Sequence, residues 1–356
     1  MVNNSLQTLG KYELRERIGR GGMAEVYKAY HASLDRYVAV KVLHPFLGED
    51  AEFKERFERE ARNVAQLRHP NIVQVYDFEY DSERELYYMV MEYVDGPTLR
   101  TRIRYLQAHG ELMPIREAVN IVHKLANALA YAHSRGMIHR DIKPGNIMLD
   151  TEGRVVLTDF GIARIVGGVS ATASGSMVGT PAYMSPEQGL GQAGDNRSDI
   201  YSLGVVLYQL LTGTTPFDAD TPIAIVLKHV NEPLPPPSSL NADLPPELER
   251  ILYKALGKDP EDRYQTIETM MAELGQTLGS LPAMFDEPGV ISPAAQQIAS
   301  LQQPSQASSR RNGIQLALLI AVALIAAITG GILAYNGWFE AYFPVTLNNL
   351  LNTLFV

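Results

Sequence analysis

The stretch His139-Arg140-Asp141-Ile142-Lys143-Pro144-Gly145-Asn146, followed by Asp159-Phe160-Gly161, decides how this chain of 356 residues is read. The first segment sets an Asp beside a Lys and an Asn. The second brings another Asp to the start of a glycine-hinged loop. Asp and Asn oxygens are hard ligands that suit Mg²⁺. A Lys two places from an Asp can screen a phosphate while an oxygen nucleophile attacks. As bare structure these would be a polar turn and an Asp-Phe-Gly turn. The two acids stand 18 residues apart, each in company suited to phosphate chemistry, and chance does not readily supply that combination.

Parts that would serve the same chemistry lie upstream. Gly19-Arg20-Gly21-Gly22-Met23-Ala24-Glu25-Val26 is a glycine-rich turn between two strand-like runs, Tyr12–Ile18 and Ala24–Ala29. Glycines let backbone N–H groups approach phosphate oxygens with no Cβ in the way, although such turns also join hairpins that bind nothing. Tyr37–Leu43 is a second clear strand, with Lys41 inside its apolar run. Ala51–Leu67 has helical periodicity, because Phe53, Phe57, Ala61, Val64 and Leu67 share one face. Leu86–Tyr93 is an apolar strand. After Gly96 the pattern turns helical, most clearly over Arg116–Ser134 and Asp199–Thr212. A strand-rich first third followed by a helix-rich remainder predicts two lobes of different class.

These motifs resemble the eukaryotic-like (Hanks-type) serine/threonine protein kinases of bacteria, over about residues 12–275. The resemblance implies an α+β, two-lobed protein kinase fold with a β-rich N-lobe and a helical C-lobe. It also implies ATP and Mg²⁺ as cofactors. Ile18, Gly19, Gly21, Gly22 and Val26 would form the loop over the nucleotide. The family pattern has Gly where this chain has Ala24, a small residue whose effect would fall on loop mobility. Lys41 would neutralise the α- and β-phosphates and needs an acidic partner from the following helix. Glu60 fits, since it lies between the apolar positions Phe57 and Ala61 and can point inward. The Glu92 carbonyl and the Val94 amide would bind the purine edge. Met91 would line the back of the pocket, with Ala39 and Met148 on the two faces of the ring.

By the same resemblance, Asp141 orients the substrate hydroxyl and accepts its proton, Lys143 screens the moving phosphoryl group, and Asn146 and Asp159 hold Mg²⁺. Lys143 marks the serine/threonine version of the loop. His139 and Phe160 would be packing residues. Gly161–Glu187 would be the activation segment, with Thr172 and Ser174 as autophosphorylation sites recognised through Arg140. Thr180 would contact Asp141 and Lys143 and favour Ser/Thr substrates. Glu187 is expected to pair with Arg263, and Asp199 to brace the catalytic loop. Relatives dimerise through the small lobe, so a homodimer is implied here.

Composition narrows the alternatives. A net charge of −9 and a sequence pI of about 5.4 argue against general nucleic-acid binding. There is no Cys, hence no disulfide, thiolate metal site or Cys nucleophile. Met1–Gly10 is polar, without the apolar core of a secretory signal. Residues 1–11 read as an N-terminal extension, 12–278 as the catalytic domain and 279–312 as a Pro/Ser/Gln/Ala-rich juxtamembrane linker.

Residues 313–335 read as a transmembrane helix. The stretch Ile314–Tyr335 carries no charge and as a helix would be about 33 Å long, enough for a bilayer core of about 30 Å. Arg310 and Arg311 on its N-terminal flank predict a cell-membrane protein whose kinase domain faces the cytoplasm. Trp338, Phe339, Tyr342 and Phe343 suit the far interface. Ala326, Gly330 and Ala334, spaced by four, would let two such helices approach. Residues 336–356 form a short extracytoplasmic tail without penicillin-binding-associated repeats. A nucleotide-binding scaffold without transfer, a membrane receptor acting by association and a small-molecule kinase are the competing readings. The complete set Lys41, Asp141, Asn146 and Asp159 argues against the first, the short tail against the second, and Thr180 with Ser185-Pro186-Glu187 against the third.

Overall fold

The computed structural model describes residues 8–21, 24–43, 59, 61–160 and 181–282. Gly22, Glu60, Thr172, Ser174, Thr180, most of the juxtamembrane linker and the whole of 313–335 lie outside the described residues. Among the described residues no helix is long and apolar enough to cross a membrane.

The first lobe is a six-stranded antiparallel sheet in the order β1-β2-β3-β4-β6-β5. Its strands are β1 (Thr8–Leu9), β2 (Tyr12–Arg20), β3 (Ala24–His31), β4 (Arg36–Leu43), β5 (Val75–Asp81) and β6 (Leu86–Glu92). β4 is central because it is apolar on both faces: Val38, Val40 and Val42 point one way, Ala39, Lys41 and Leu43 the other, and all six are buried. Val38, Val40 and Val42 join Leu9, Tyr12, Ala29, Leu86, Tyr88 and Val90 in an outer core. Ala39 and Leu43 join the large core that runs into the second lobe. Register alone therefore puts Lys41 on the inner face, opposite Val26 on one side and Met89 on the other. The end of the expected helix is seen at 61–65, where Ala61 and Val64 are buried.

The second lobe is helical. Its helices are α1 (Leu99–Ala108), α2 (Ile115–His133), α3 (Pro186–Gly189), α4 (Asn196–Thr212), α5 (Pro222–Asn231), α6 (Pro246–Ala255) and α7 (Ile267–Ser280). A two-stranded hairpin, β7 (Ile147–Leu149) with β8 (Val155–Leu157), follows the catalytic stretch. α4 is apolar nearly all round and is buried on every side, as such a helix must be. It starts where Asp195 accepts from the Arg197 N–H and stops at Gly213, whose φ of +81° favours glycine. Two long elements expected as helices are observed within a residue or three of their expected bounds. Strand β5 was not foreseen, because Val75-Tyr76-Asp77-Phe78-Glu79-Tyr80-Asp81 carries three acids and sits at the sheet edge.

The expected Glu187–Arg263 pair is present and bidentate, at 2.9 and 2.8 Å, with both residues buried. Ser198 Oγ adds a hydrogen bond to Glu187 at 2.6 Å. Burial works to raise the Glu187 pKa, but the Arg263 and Ser198 hydrogen bonds and the Arg263 charge bring it down to about 2. An unfolded Glu titrates near 4.5, so this pair stabilises the fold fully above that value and loses its effect as pH falls towards about 2. The depression corresponds to about 3 kcal/mol at neutral pH. Urea unfolding between pH 7 and pH 3 should show wild type losing much of this increment. Arg263→Ala should cost about 3–5 kcal/mol at pH 7 by leaving a buried carboxylate unpaired, with a smaller deficit at pH 3.

Candidate active site

The catalytic stretch is built as a loop whose backbone is tied from below. Asp199, on the first turn of α4, is completely buried. Its Oδ2 accepts from the His139 N–H at 2.8 Å and its Oδ1 from the Arg140 N–H at 2.7 Å. His133 Nε2, at the end of α2, lies 2.8 Å from Oδ2. One carboxylate thus joins α2, α4 and the loop, the bracing role expected of it. Arg140 has φ +65°, a left-handed conformation unfavourable for a branched-free but bulky side chain. The Asp199 bond on its N–H and the Gln188 side chain on its carbonyl, at 3.0 Å, hold it there.

His139 is fully buried and packs edge-on against Phe160, ring centres 4.6 Å apart. Its Nε2 lies 2.9 Å from the Thr158 carbonyl, which only accepts, so Nε2 carries the hydrogen. That leaves Nδ1 to accept from the Asp141 N–H at 3.2 Å. The imidazole therefore links the loop to the strand end that precedes Asp159. Both His139 and Phe160 are packing residues, as the sequence suggested.

The side chains above this base converge. Lys143 Nζ donates to both carboxylate oxygens of Asp141, at 2.9 and 2.6 Å. Asn146 Nδ2 donates to the Asp141 carbonyl at 2.8 Å and to its Oδ2 at 3.0 Å. Thr158 N–H and Oγ1 donate to the Asn146 carbonyl at 2.8 and 3.1 Å, fixing that residue beside the second acid. Across the lobes, Lys41 Nζ donates to Asp159 Oδ1 at 2.7 Å. Burial pushes the Asp159 carboxyl up, but the Lys41 charge and hydrogen bond outweigh it, with smaller help from Lys143. The carboxyl stays below its ordinary value and ionised. The carboxylate against Lys41 among the described residues is thus Asp159; Glu60, its expected partner, lies outside them.

Asp159 has φ +64°, a second left-handed residue within the site. Lys41 engages its Oδ1, and Asn146 spends its amide nitrogen on Asp141, so among the described residues Asp159 Oδ2 and Asn146 Oδ1 are the oxygens left for a cation. Two hard protein oxygens fit Mg²⁺, which keeps waters and phosphate oxygens in its remaining positions. Among the described residues no cluster of three His, Cys, Asp or Glu forms a self-sufficient metal cage.

The segment joining the lobes is pinned to the β7–β8 hairpin. Leu149 N–H donates to the Pro97 carbonyl at 2.9 Å and Thr151 N–H to Asp95 at 3.0 Å. A side chain at Gly96 would collide with the Leu149 carbonyl and meet Asp150 Cα at 3.0 Å. Arg154 bridges Asp150, at 2.8 Å, and Glu92, at 2.5 Å. The Glu92 side chain is therefore committed to the hairpin. Its N–H donates to the Gln74 carbonyl at 2.8 Å. Ala39, Met91 and Val94 are buried in one apolar cluster, with Val26 and Met148 half-buried against it. Ile18 is exposed, a Cβ at Gly19 would stand 3.5 Å from Val26 Cβ, and the Gly21 N–H donates to the Ala24 carbonyl at 2.9 Å, closing the turn. Sequence reading missed the Arg154 clamp, because nothing local in Gly153-Arg154-Val155 points to Glu92, 62 residues away.

On the far side, His229 of α5 is buried against Tyr201, Phe217 and Lys258. Burial and the Lys258 charge lower its pKa to about 4, so it is neutral. Nε2–H donates to the Ala182 carbonyl at 3.2 Å, and Nδ1 accepts from the Tyr201 hydroxyl at 2.9 Å. Ser202 Oγ donates to the Tyr183 carbonyl at 2.7 Å. The 181–187 segment is thereby fixed to α4 and α5.

This arrangement of lobes, loop and paired acids has known counterparts. A model of the protein kinase domain family matches residues 12–274, and the chain belongs to that family. It is 43% identical to serine/threonine-protein kinase PknB of Mycolicibacterium smegmatis, over 90% of this chain and 53% of that protein. It is 44% identical to serine/threonine-protein kinase PrkC of Bacillus subtilis, over 74% of this chain and 40% of that one. The chain thus spans about half or less of these curated relatives. Among solved structures, the Mycobacterium tuberculosis PknI kinase domain superposes with a TM-score of 0.60 at 30% identity, covering 76% of this chain and 96% of that domain.

Because Asp199 carries two loop N–H groups and a histidine, Asp199→Ala should misplace Asp141 more than it disturbs the nucleotide side. The expected outcome is a fall in kcat of about 100-fold or more with a much smaller change in KM for ATP, read by steady-state kinetics on a protein substrate. An equal loss in both would place the role of Asp199 elsewhere.

Proposed function

We propose that the chain is a serine/threonine protein kinase that moves the γ-phosphoryl group of Mg-ATP to a Ser or Thr hydroxyl of a protein. The observation that carries this is the two-point lock of the cleft: Lys41 on Asp159 from one lobe, and Lys143 and Asn146 on Asp141 from the other. Transfer breaks the bond from the γ-phosphorus to its bridging oxygen and forms a bond to the acceptor oxygen. Asp141 orients the acceptor hydroxyl and takes its proton. Lys143, held against Asp141, screens charge on the moving group. Lys41 is positioned for the α- and β-phosphates, and the turn Gly19–Gly22 covers them. The Glu92 carbonyl and Val94 N–H meet the purine edge between Ala39 and Met148, with Met91 behind. Asn146 and Asp159 supply the oxygens for Mg²⁺, which when bound neutralises phosphate charge.

Activation runs through phosphorylation of Thr172 or Ser174 in trans within a homodimer, and Thr180 contributes to acceptor choice. What supports the phosphate-reading step is Arg140, whose Nε is buried with no hydrogen-bond partner. A buried guanidinium nitrogen left unpaired is costly unless an acceptor arrives. Residues 313–335 anchor the chain in the cell membrane with the kinase domain in the cytoplasm, and residues 336–356 lie outside. The support is the uncharged run Ile314–Tyr335 and its Arg310-Arg311 flank.

Incubation of the full chain with labelled ATP, Mg²⁺ and a generic protein substrate should give label on Ser and Thr. Asp141→Asn should abolish it, and Thr172→Ala/Ser174→Ala should lower both activity and self-labelling. Full activity in Asp141→Asn would sink the transfer reading, and an unaffected double variant would sink the activation scheme. In a bacterial host the chain should resist alkaline extraction from membranes, and removal of residues 313–335 should release it; extraction of the intact chain would refute the anchor.

A further inference from the structure

Charge joins the two lobes at both ends of the cleft. At the front, Lys41 of the first lobe donates to Asp159 of the second at 2.7 Å. Phosphoryl transfer needs both of these groups for the nucleotide and its metal, so their mutual bond is not free to hold the lobes during the reaction. At the back stands a pair that the reaction does not consume. Glu92 is the last residue of β6 and so of the first lobe's sheet. Its Oε1 accepts from Nη2 of Arg154 at 2.5 Å, and Arg154 lies in the turn between β7 and β8.

The guanidinium is oriented by its own turn. Asp150 Oδ1 accepts from the Glu152 and Arg154 N–H groups at 3.0 and 2.7 Å, and the Asp150 N–H donates to the Arg154 carbonyl at 3.0 Å. Asp150 Oδ2 then takes Arg154 Nε at 2.8 Å, which leaves Nη2 aimed at Glu92. The side chains of Arg154, Glu92 and Asp150 are 35%, 21% and 9% exposed, so the bridge is partly withdrawn from water and exceeds a surface pair in strength. Glu92 is constrained from its own side too, because its N–H is bonded to the Gln74 carbonyl and it pairs with Val38 of β4. The hairpin carries this anchorage to the reacting centre. β7 starts directly after Asn146, and β8 ends two residues before Asp159. Pairing of Ile147 with Leu157, Met148 with Val156 and Leu149 with Val155 makes the hairpin a short stiff lever. Its open end presents Asn146 and Asp159, and its turn end is fixed on Glu92.

Building on the protein kinase reading, we propose that Arg154 is a positioning residue for the nucleotide: by latching Glu92 to the β7–β8 turn, it fixes the span between the purine edge and the oxygens of Asn146 and Asp159. One ATP molecule must engage both ends of that span together. A span fixed in advance spares the ordering cost of bringing the two ends into register. Without the latch the ends move independently. Adenosine, which engages the purine end alone, is indifferent to that loss, whereas Mg-ATP is not.

The test uses the full chain. Arg154→Ala should raise KM for ATP by roughly three- to tenfold while kcat changes by less than about twofold. The dissociation constant of a non-hydrolysable ATP analogue with Mg²⁺ should rise by the same factor, and that of adenosine should stay where it is. Arg154→Lys, which reaches one carboxylate at a time, should fall between wild type and Arg154→Ala. Glu92→Gln removes the charge of the other partner and should match Arg154→Ala, and the double variant should be no worse than either single one. Glu92→Gln also carries the test by itself where Arg154→Ala does not fold. An unchanged KM in the folded single variants, or adenosine and the ATP analogue weakened alike, overturns the assignment and leaves the kinase reading intact. Binding constants that shift as stated, with no transfer to protein by wild type, support the latch and overturn the kinase reading.

Discussion

The Asp199 carboxylate is the interaction on which the remaining geometry rests. It is buried on the first turn of α4, accepts from two loop N–H groups and lies 2.8 Å from the His133 ring. Removing that carboxylate would leave buried donors unpaired, which is costly. The loop therefore keeps one conformation, with Arg140 in a left-handed backbone it would not choose alone. The position of Asp141 follows from this, and those of Lys143 and Asn146 follow from Asp141. Rigidity at the base is what allows charged groups to face each other above it without collapsing into other pairings.

Three charged residues of similar chemistry illustrate how environment separates structure from function. Arg263 is enclosed, bidentate to Glu187, and serves stability. Arg154 is half-exposed and joins the interlobe segment to the hairpin through Glu92 and Asp150. Arg100 is exposed, has no carboxylate partner among the described residues, and brings its guanidinium close to Gly145. Arginine can do all three because its fork is planar and always charged. What distinguishes the three is how many acceptors the fold places around each one.

The site itself is held by pairs that span the chain. Lys41 and Asp159 are separated by 118 residues, and Glu187 and Arg263 by 76. Neither pair is a local consequence of sequence. Each requires both lobes, or both ends of the helical lobe, to be complete. The cleft is for this reason a property of the folded unit.

The motif residues and the two-lobe division were legible in the sequence because period and composition carry them. β4 reads as a strand from its apolar run with Lys41 inside it, and α2 and α4 read as helices from their pattern. The pairing of Glu187 with Arg263 and the bracing by Asp199 were legible only through resemblance, since no spacing rule links them. Tertiary structure alone decided the rest: strand β5, whose acids disguise an edge; the Arg154 clamp on Glu92; and the approach of Arg100 to Gly145. Local sequence fixes which way a side chain points along its own element, because backbone geometry sets that period. Which distant group it then meets depends on how whole elements pack.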